Sequence, residues 1–283
     1  MTVIKTIDEL QMEKVVCGIQ IPAQPRALLE IQDELSLSAP DIKRVSSIVS
    51  KDVGLSAGVL KTINSPFYGL RTKVESIQRA AVLLGLPNIH NLVRSIALRQ
   101  TMSKASARLE LDHFWDHASE VANIAIFLAI KFRFENPDEY YSLGLFHDAG
   151  IAILAQKFND YDELLRDGNS MFGGSIVIAE DAKYQTNHAI IGYYLARSWN
   201  LSDTLAQAVL HHHNAENLLP DLAEHQLRNQ MLAVLKLASH ISHTRGALPT
   251  DGEWEKIAPA VLAFLKLSPT CYSDLCEEVA SLL

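Results

Sequence analysis

The length, composition and charge of the chain exclude several classes of protein. Its 283 residues are enough for one large domain or two smaller ones. A content of 48% hydrophobic and 20% charged residues is ordinary for a globular protein. The 25 basic and 33 acidic residues give a net charge of −8, and no basic block could neutralise phosphates, so we expect no nucleic-acid partner.

The N-terminus and the cysteine content predict a cytoplasmic protein without a membrane segment. The opening residues, MTVIKTIDELQMEK, carry acids where a signal peptide needs an apolar core. The longest apolar run, 121–130, is interrupted by Asn123 and is much shorter than the roughly 20 residues that span a bilayer. Three cysteines without a CxxC pair indicate reduced thiols rather than a disulfide framework.

The N-terminal third carries helix signals. Residues 35–60 fit helices, with a start at 38–41 and an apolar stripe formed by Val45, Ile48 and Val49. Asn64-Ser65-Pro66 marks a turn.

A second helix is bounded by recognisable end signals. Ser76 precedes the amphipathic stretch IQRAAVLLG as an N-cap, and Gly85 with Pro87 is expected to end it.

The remainder of the chain continues this pattern. Residues 136–139 provide a cap, a proline at the first helical position and an acid, and Ser202-Asp203 opens another helix. The one β-branched cluster, 175–178, is short and continues into a helical pattern. We therefore predict an all-α fold, with a soft division near residue 110 in the polar stretch SKASARLELD.

Histidines are concentrated in the central part of the chain. Seven of the eleven lie between residues 113 and 213: His113, His117, His147, His188, His211, His212 and His213. The order His, His-Asp, His and His-His on separate helices suits a metal site inside a helix bundle, and imidazole with carboxylate suits Zn, Fe or Mn. Each histidine alone is more often a hydrogen-bonded core residue, and HHH could be a polar helix terminus. The pattern leaves both readings open.

Several ordered blocks resemble the HDOD family, the HD-related output domains within the HD-domain superfamily of metal-dependent phosphohydrolases. The blocks are IPAQPRALLEIQ, SKDVGLSAGVLKTINSPFYG, SIQRAAVLLGLPNIHNLV, FWDHASEVA, LGLFHDAGIAIL and NHAIIGYYLARSWNLSDTLAQAVLHHH. The resemblance implies a single HD-domain-like multi-helix bundle over 1–283, with an N-terminal helical subregion at 1–110 and the core that carries the His/Asp motif at 111–283.

The resemblance also implies a set of metal ligands. The candidates are His117, His147, Asp148, His188, His212 and His213. The ion would be divalent Fe, Mn or Zn. If the protein is an enzyme, Asp148 is the candidate catalytic residue, because it could orient or deprotonate an attacking water.

Two positions depart from the catalytic pattern of the superfamily. Ile151 stands where a phosphate-binding lysine commonly follows HDxG, and Ser239, next to His240, stands where an aspartate usually closes the metal shell. A hydroxyl is a poor replacement for a carboxylate on a catalytic divalent ion.

Two functions follow from the resemblance. The first is a bacterial signal-transduction output module with a degenerate metal site, which binds a signalling protein or a small phosphorylated ligand. The alternative is a metal-dependent phosphohydrolase of nucleotides or other phosphoesters, although the basic residues nearest the motif in sequence, Lys157, Arg133 and Arg197, are expected to be solvated. The oligomeric state stays open.

Overall fold

The computed structural model describes residues 18–105, 111–165, 176–219, 225–245 and 252–282, which form helices joined by turns and contain no β-strand. The predicted all-α class is confirmed. The helices are α1 (Arg26–Leu35), α2 (Ile42–Lys51), α3 (Val53–Ile63), α4 (Ile77–Leu84), α5 (Leu86–Ala105), α6 (Leu111–Lys131), α7 (Pro137–Phe146), α8 (Ala149–Lys157), α9 (Ile176–Tyr184), α10 (His188–Ser198), α11 (Asp203–His211), α12 (Ala215–Leu218), α13 (Gln226–Arg245), α14 (Gly252–Phe264) and α15 (Pro269–Leu282). Short 3-10 turns occupy Pro66–Tyr68 and His212–Asn214.

The predicted apolar stripe of α2 is buried. An Asp41 carboxylate oxygen accepts a hydrogen bond from the backbone N–H of Lys43 at 2.8 Å, which fixes the start of the helix. Val45, Ile48 and Val49 then face the core. Local capping and apolar periodicity together account for this element.

The start of α4 follows its sequence signal, but its end differs in one detail. Ser76 Oγ accepts from the backbone N–H of Arg79, and Gly85 adopts the positive φ of +81° that favours glycine. Pro87 does not separate the helices, because it is the second residue of α5, where its missing N–H costs nothing. The two helices are therefore separated by Gly85 alone.

The helices α7 and α11 begin at the predicted positions, but the cap predicted at Asn136 does not form. Pro137 is the first residue of α7, while Asn136 has a left-handed φ of +50° and no side-chain capping bond. Ser202 Oγ accepts from the backbone N–H of Leu205 at the start of α11. Residues 176–178 of the β-branched cluster lie in α9, so the helical prediction holds there.

The core lies where the central helices cross. Helix α6 packs against α7 and α13, while α10 packs against α8 and α11. The N-terminal helices join this core through α5, where the hydroxyls of Ser95 and Ser142 form a buried hydrogen bond of 2.8 Å. The predicted division near residue 110 falls at residues 106–110, outside the described part, and the single-domain assignment stays a prediction.

None of the described helices combines the length and the apolar character that a membrane span requires. Cys271 and Cys276 are free thiols, and Cys17 lies outside the described residues.

Candidate metal centre

The stretch LGLFHDAGIAIL spans a break between two helices. His147 ends α7, and Asp148, with φ −104° and ψ 5°, precedes α8. Gly150 lies so close to the start of α10 that a Cβ atom there would be 2.0 Å from the carbonyl oxygen of His188. This close approach, which only glycine permits, brings α10 towards Asp148.

Four of the predicted ligands form one cluster. The ligand atoms of Asp148, His188, His212 and His213 all lie within 4.8 Å of one another. Asp148 Oδ1 is 3.5 Å from Nε2 of His188 and 3.3 Å from Nε2 of His212. His188 Nε2 is in turn 3.0 Å from Nε2 of His213. The residues come from the α7–α8 junction, the start of α10 and the 3-10 turn after α11.

The second ring nitrogens of these histidines are held by groups on the outer side of the cluster. Nδ1 of His212 lies 2.7 Å from the carbonyl oxygen of Val209, and Nδ1 of His188 lies 2.7 Å from a carboxylate oxygen of Glu180. Carbonyl and carboxylate oxygens only accept, so each Nδ1 carries the proton. Each neutral ring therefore directs the lone pair of Nε2 inwards, which is the tautomer that metal-ligating histidines adopt.

The converging nitrogens suit a cation. Nε2 of His188 lies 3.3 Å from Nε2 of His212 and 3.0 Å from that of His213, distances at which facing lone pairs repel each other unless a proton lies between them. A divalent ion bound by the three imidazole nitrogens and the Asp148 carboxylate would also remove this repulsion. The residues present therefore fit a divalent metal ion with nitrogen and oxygen preference.

The protonation states suit metal ligation. Burial opposes ionisation of Asp148, but the neighbouring His147, His212 and His188 hold its pKa well below the usual range. Burial lowers the pKa of His212 to about 4 and that of His213 well below its usual value. Both rings are therefore neutral near pH 7, while the carboxylate is ionised.

His188 differs from the other two rings. Burial would lower its pKa, but the carboxylates of Glu180 and Asp148 raise it above the usual value. A proton on His188 is thus the alternative cation that the cluster can hold.

The structure brings His147 against this cluster. Its Nε2 is 3.1 Å from Asp148 Oδ2, and its Nδ1 lies 2.8 Å from the carbonyl oxygen of Gly144. A neutral imidazole carries only one N–H, so the ring can donate a hydrogen bond in only one of these two contacts.

His117 lies beside the four-residue cluster rather than in it. Its Nδ1 on α6 is 3.2 Å from the hydroxyl of Ser242 on α13. Burial and then the neighbouring His147 lower the pKa of His117, whereas Asp148 raises it, so His117 lies near both of these residues. Whether all six predicted residues ligate one centre stays a prediction.

The two departures from the catalytic pattern are visible in the fold. Ile151 is half-buried and packs against the core. Ser239 is half-buried on α13, and the ring of His240 stacks on Trp254 at 4.2 Å between centroids, with 9° between the planes. Lys157, Arg133 and Arg197 are exposed, as expected.

Sequence reasoning missed Glu180, which holds His188, and Tyr161, which bonds to Glu180. Glu180 on α9 is fully buried, accepts from Nδ1 of His188 at 2.7 Å and from its backbone N–H at 3.1 Å, and also accepts from the hydroxyl of Tyr161. A carboxylate bonded to a ligating imidazole fixes the ring and increases its basicity. The available signal was an acid eight residues before His188, within a helical pattern.

A second missed pair lies on the other side of the cluster. Lys236 on α13 is buried, and its Nζ lies 2.6 Å from Oε1 of Glu253 on α14. Oε2 of Glu253 is 3.8 Å from Nδ1 of His213. The site therefore has a buried cation of its own, which the basic residues nearest in sequence do not provide.

Comparison with known proteins identifies the family. A protein of Treponema pallidum (strain Nichols), itself uncharacterised, is 23% identical over 249 residues, which are 87% of this chain and 46% of that protein. The chain spans less than half the length of the curated relatives it matches. Among solved structures, a protein of Shewanella amazonensis SB2B, provisionally described as a phosphohydrolase, is 23% identical with a TM-score of 0.71, and the match covers 96% of this chain and 93% of that one.

A second solved structure has the same fold. A protein of Marinobacter aquaeolei VT8, provisionally described as a signal transduction protein, is 18% identical with a TM-score of 0.65, over 97% of this chain and 63% of that one. Identities this low show the fold alone. The profile of the HDOD domain matches residues 21–215, well over half of the chain. The chain therefore belongs to the HDOD domain family.

Proposed function

We propose that this protein is a regulatory module of bacterial signal transduction whose His/Asp cluster binds a divalent metal ion, and that a partner protein or a small phosphorylated ligand binds at this centre. The observation that carries the proposal is the convergence of three imidazole Nε2 atoms on Asp148, with the Nδ1 atoms of His188 and His212 held from outside. The relative provisionally described as a signal transduction protein supports the regulatory part.

Some residues of the site would bind the ion, and others would position these ligands. Asp148, His188, His212 and His213 would hold the ion, and Glu180 positions His188. His147 would contribute through its contact with Asp148, and His117 is the more distant candidate. A bound divalent ion would act as a Lewis acid towards a phosphate oxygen of the ligand.

The charge states of the chain's own groups favour binding over turnover. A general base works best when its pKa lies near the working pH, and that of Asp148 lies well below the usual carboxyl range. Ser239, a half-buried hydroxyl on α13, stands at the position where the resemblance places the carboxylate that completes the shell of a hydrolase. Asp148 is thus a good ligand and a weak base.

Metal-dependent phosphohydrolysis is the second candidate function. Lys236 supports it, because its buried ammonium supplies positive charge at the cluster although Ile151 does not. The relative provisionally described as a phosphohydrolase points the same way. In this function Asp148 would orient the attacking water or accept its proton.

Elemental analysis of the purified full chain tests the proposal. We expect Fe, Mn or Zn near stoichiometric amounts in the wild type, and loss of that metal in Asp148→Asn and His212→Ala. His211→Ala is the matched control, since His211 precedes the cluster but is not one of its four members. The metal-loaded protein is then screened against phosphodiester and nucleotide substrates, with no turnover expected.

Two results would overturn the proposal. Equal metal content in the wild type and the Asp148 and His212 variants, including none in any, would remove the metal centre. Turnover by the wild type that Asp148→Asn abolishes would establish the hydrolase in place of the regulatory module.

A further inference from the structure

The cluster borders a buried ammonium group. Lys236 is only 7% exposed, and its Nζ lies 2.6 Å from Oε1 of Glu253. Lys236 lies close enough to act on the cluster, because burial, then His212 and then Lys236 lower the pKa of His213. An ammonium group at this depth costs free energy unless an anion pairs with it. The identity of that anion therefore decides what this side of the site can bind.

Glu253 provides the anion within the chain. Its two oxygens face different groups, since Oε1 contacts Lys236 and Oε2 lies 3.8 Å from Nδ1 of His213. The side chain is 38% exposed and stands in the first turn of α14. The ion pair of a carboxylate that already contacts water is weakened by solvent screening, so this carboxylate leaves its partner at a lower cost than a buried one would.

We propose that Lys236 binds a phosphate group of the ligand, and that Glu253 is an internal anion which this phosphate displaces from the ammonium group. The inference rests on the proposed metal centre, because the same phosphate would contact the ion and Lys236 together. Glu253 then keeps Lys236 paired in the ligand-free protein and lowers the apparent affinity for every anion that must replace it.

The chemistry of the site selects phosphate over carboxylate ligands. A carboxylate would only exchange one singly charged group for another of the same kind. A phosphate ester carries nearly two charges near pH 7 and presents three strong acceptor oxygens, enough for an ion and an ammonium group at once. The ligand class is therefore a phosphate monoester or a terminal phosphate.

Calorimetric titration of inorganic phosphate into the Mn²⁺-loaded full chain tests the proposal, with acetate as the comparison anion. Lys236→Met is expected to weaken phosphate binding about tenfold or more, the loss of one hydrogen bond to a charged group. Glu253→Gln is expected to tighten it about threefold or more, because a larger fraction of the protein is then competent to bind. Acetate should bind at least tenfold more weakly than phosphate.

Matched variants control for general charge effects and for folding. Lys256→Met and Glu255→Gln change exposed residues of α14 and should leave phosphate affinity unchanged. Lys236→Arg keeps the positive charge and should retain phosphate binding even where Lys236→Met fails to fold. Mn²⁺ affinity is measured separately for each variant from the electron paramagnetic resonance signal of the free ion.

The outcomes separate this inference from the metal centre itself. Absence of Mn²⁺ binding in the wild type defeats the metal centre and this inference with it. Normal Mn²⁺ binding with equal phosphate affinity in Lys236→Met and Lys256→Met overturns the role of Lys236 alone. Weaker Mn²⁺ binding in Glu253→Gln, without tighter phosphate binding, would make Glu253 a positioning residue for His213 and refute displacement.

Discussion

Replacement of Glu180 by glutamine is expected to weaken metal binding by about 10–100-fold without unfolding the protein. Glu180 is fully buried and accepts two hydrogen bonds from His188, one from Nδ1 at 2.7 Å and one from the backbone N–H at 3.1 Å. Glutamine keeps the shape and one acceptor oxygen but removes the negative charge. His188 then becomes a less basic and less firmly oriented ligand.

The magnitude follows from these two hydrogen bonds. A hydrogen bond to a charged group contributes about 1.5–3 kcal/mol, whereas one between neutral groups contributes about 0.5–1.5 kcal/mol. The difference for two bonds, discounted because the neutral oxygen still accepts, is about 1.5–2.5 kcal/mol. At about 1.4 kcal/mol for each factor of ten, this corresponds to roughly 10–60-fold in the metal dissociation constant.

The assay is competition for Zn²⁺ or Mn²⁺ between the full chain and a chelator of known affinity. Asp181→Asn is the matched control, because Asp181 is the next residue on α9 and its carboxylate accepts from Nδ2 of Asn187. It should change metal affinity less than threefold. Unchanged affinity in Glu180→Gln would refute the positioning role, and an equal loss in both variants would show a general charge effect of α9.

Three further predictions concern the fold around the site. Burial raises the pKa of Asp138 to about 6, so the wild type loses stability as the pH rises from about 4 to 6. Compared with the wild type, Asp138→Asn should therefore be more stable by up to about 3 kcal/mol at pH 7.5, but by little at pH 4. A difference in urea unfolding that does not depend on pH would contradict this prediction. Gly150→Ala should lower the free energy of unfolding by roughly 1–3 kcal/mol or more and weaken metal binding, because the alanine Cβ would meet the carbonyl oxygen of His188. A wild-type free energy of unfolding together with wild-type metal affinity would show that α10 can shift freely. Trp199→Phe should lower the stability measured by thermal unfolding by about 1–3 kcal/mol, because Nε1 of Trp199 donates to the carbonyl oxygen of Pro22 at 2.8 Å. Its metal affinity should equal that of the wild type. Weaker metal binding would instead show that this contact supports the site.

Local interactions made much of the fold predictable. The N-caps at Asp41, Ser76 and Ser202 bond to backbone N–H groups two or three residues later, so the sequence specifies them without reference to the rest of the molecule. The break between α7 and α8 was not predicted, because HDAG has no proline and sits in a run of good helix formers. It depends on the tertiary approach of Gly150 to His188.

The four clustered residues were among the predicted metal ligands, whereas Glu180 and Glu253, which contact the cluster, were not predicted. The order of His188, His212 and His213 pointed to a shared site because histidine and aspartate seldom recur at the starts and ends of apolar helices. No sequence feature distinguishes Glu180 and Glu253 from surface residues, since an acid in a helical pattern is usually solvated. Their roles arise only when α9 and α14 pack beside the cluster.

The position of Lys236 beside the cluster was also not predicted from the sequence. The basic residues nearest to His147 and Asp148 in the sequence are Lys157, Arg133 and Arg197, and the structure exposes all three. The cation beside the cluster comes instead from α13, which packs against α11 and so reaches the turn that carries His213. Lysine is almost never fully buried without a partner, so its position could be inferred only once Glu253 was known to pair with it.

The two carboxylates that support the cluster differ in a way that gives the site a fixed side and an adjustable side. Glu180 is fully buried and bonded to His188 and Tyr161, so moving it would leave several polar groups without partners. Glu253 is partly exposed, and its contact with His213 is long at 3.8 Å. A ligand that alters the site will therefore act through Glu253 and α14 rather than through α9. Since Glu255 and Lys256 in the same turn of α14 are exposed, displacement of Glu253 would also change a surface that a partner could recognise.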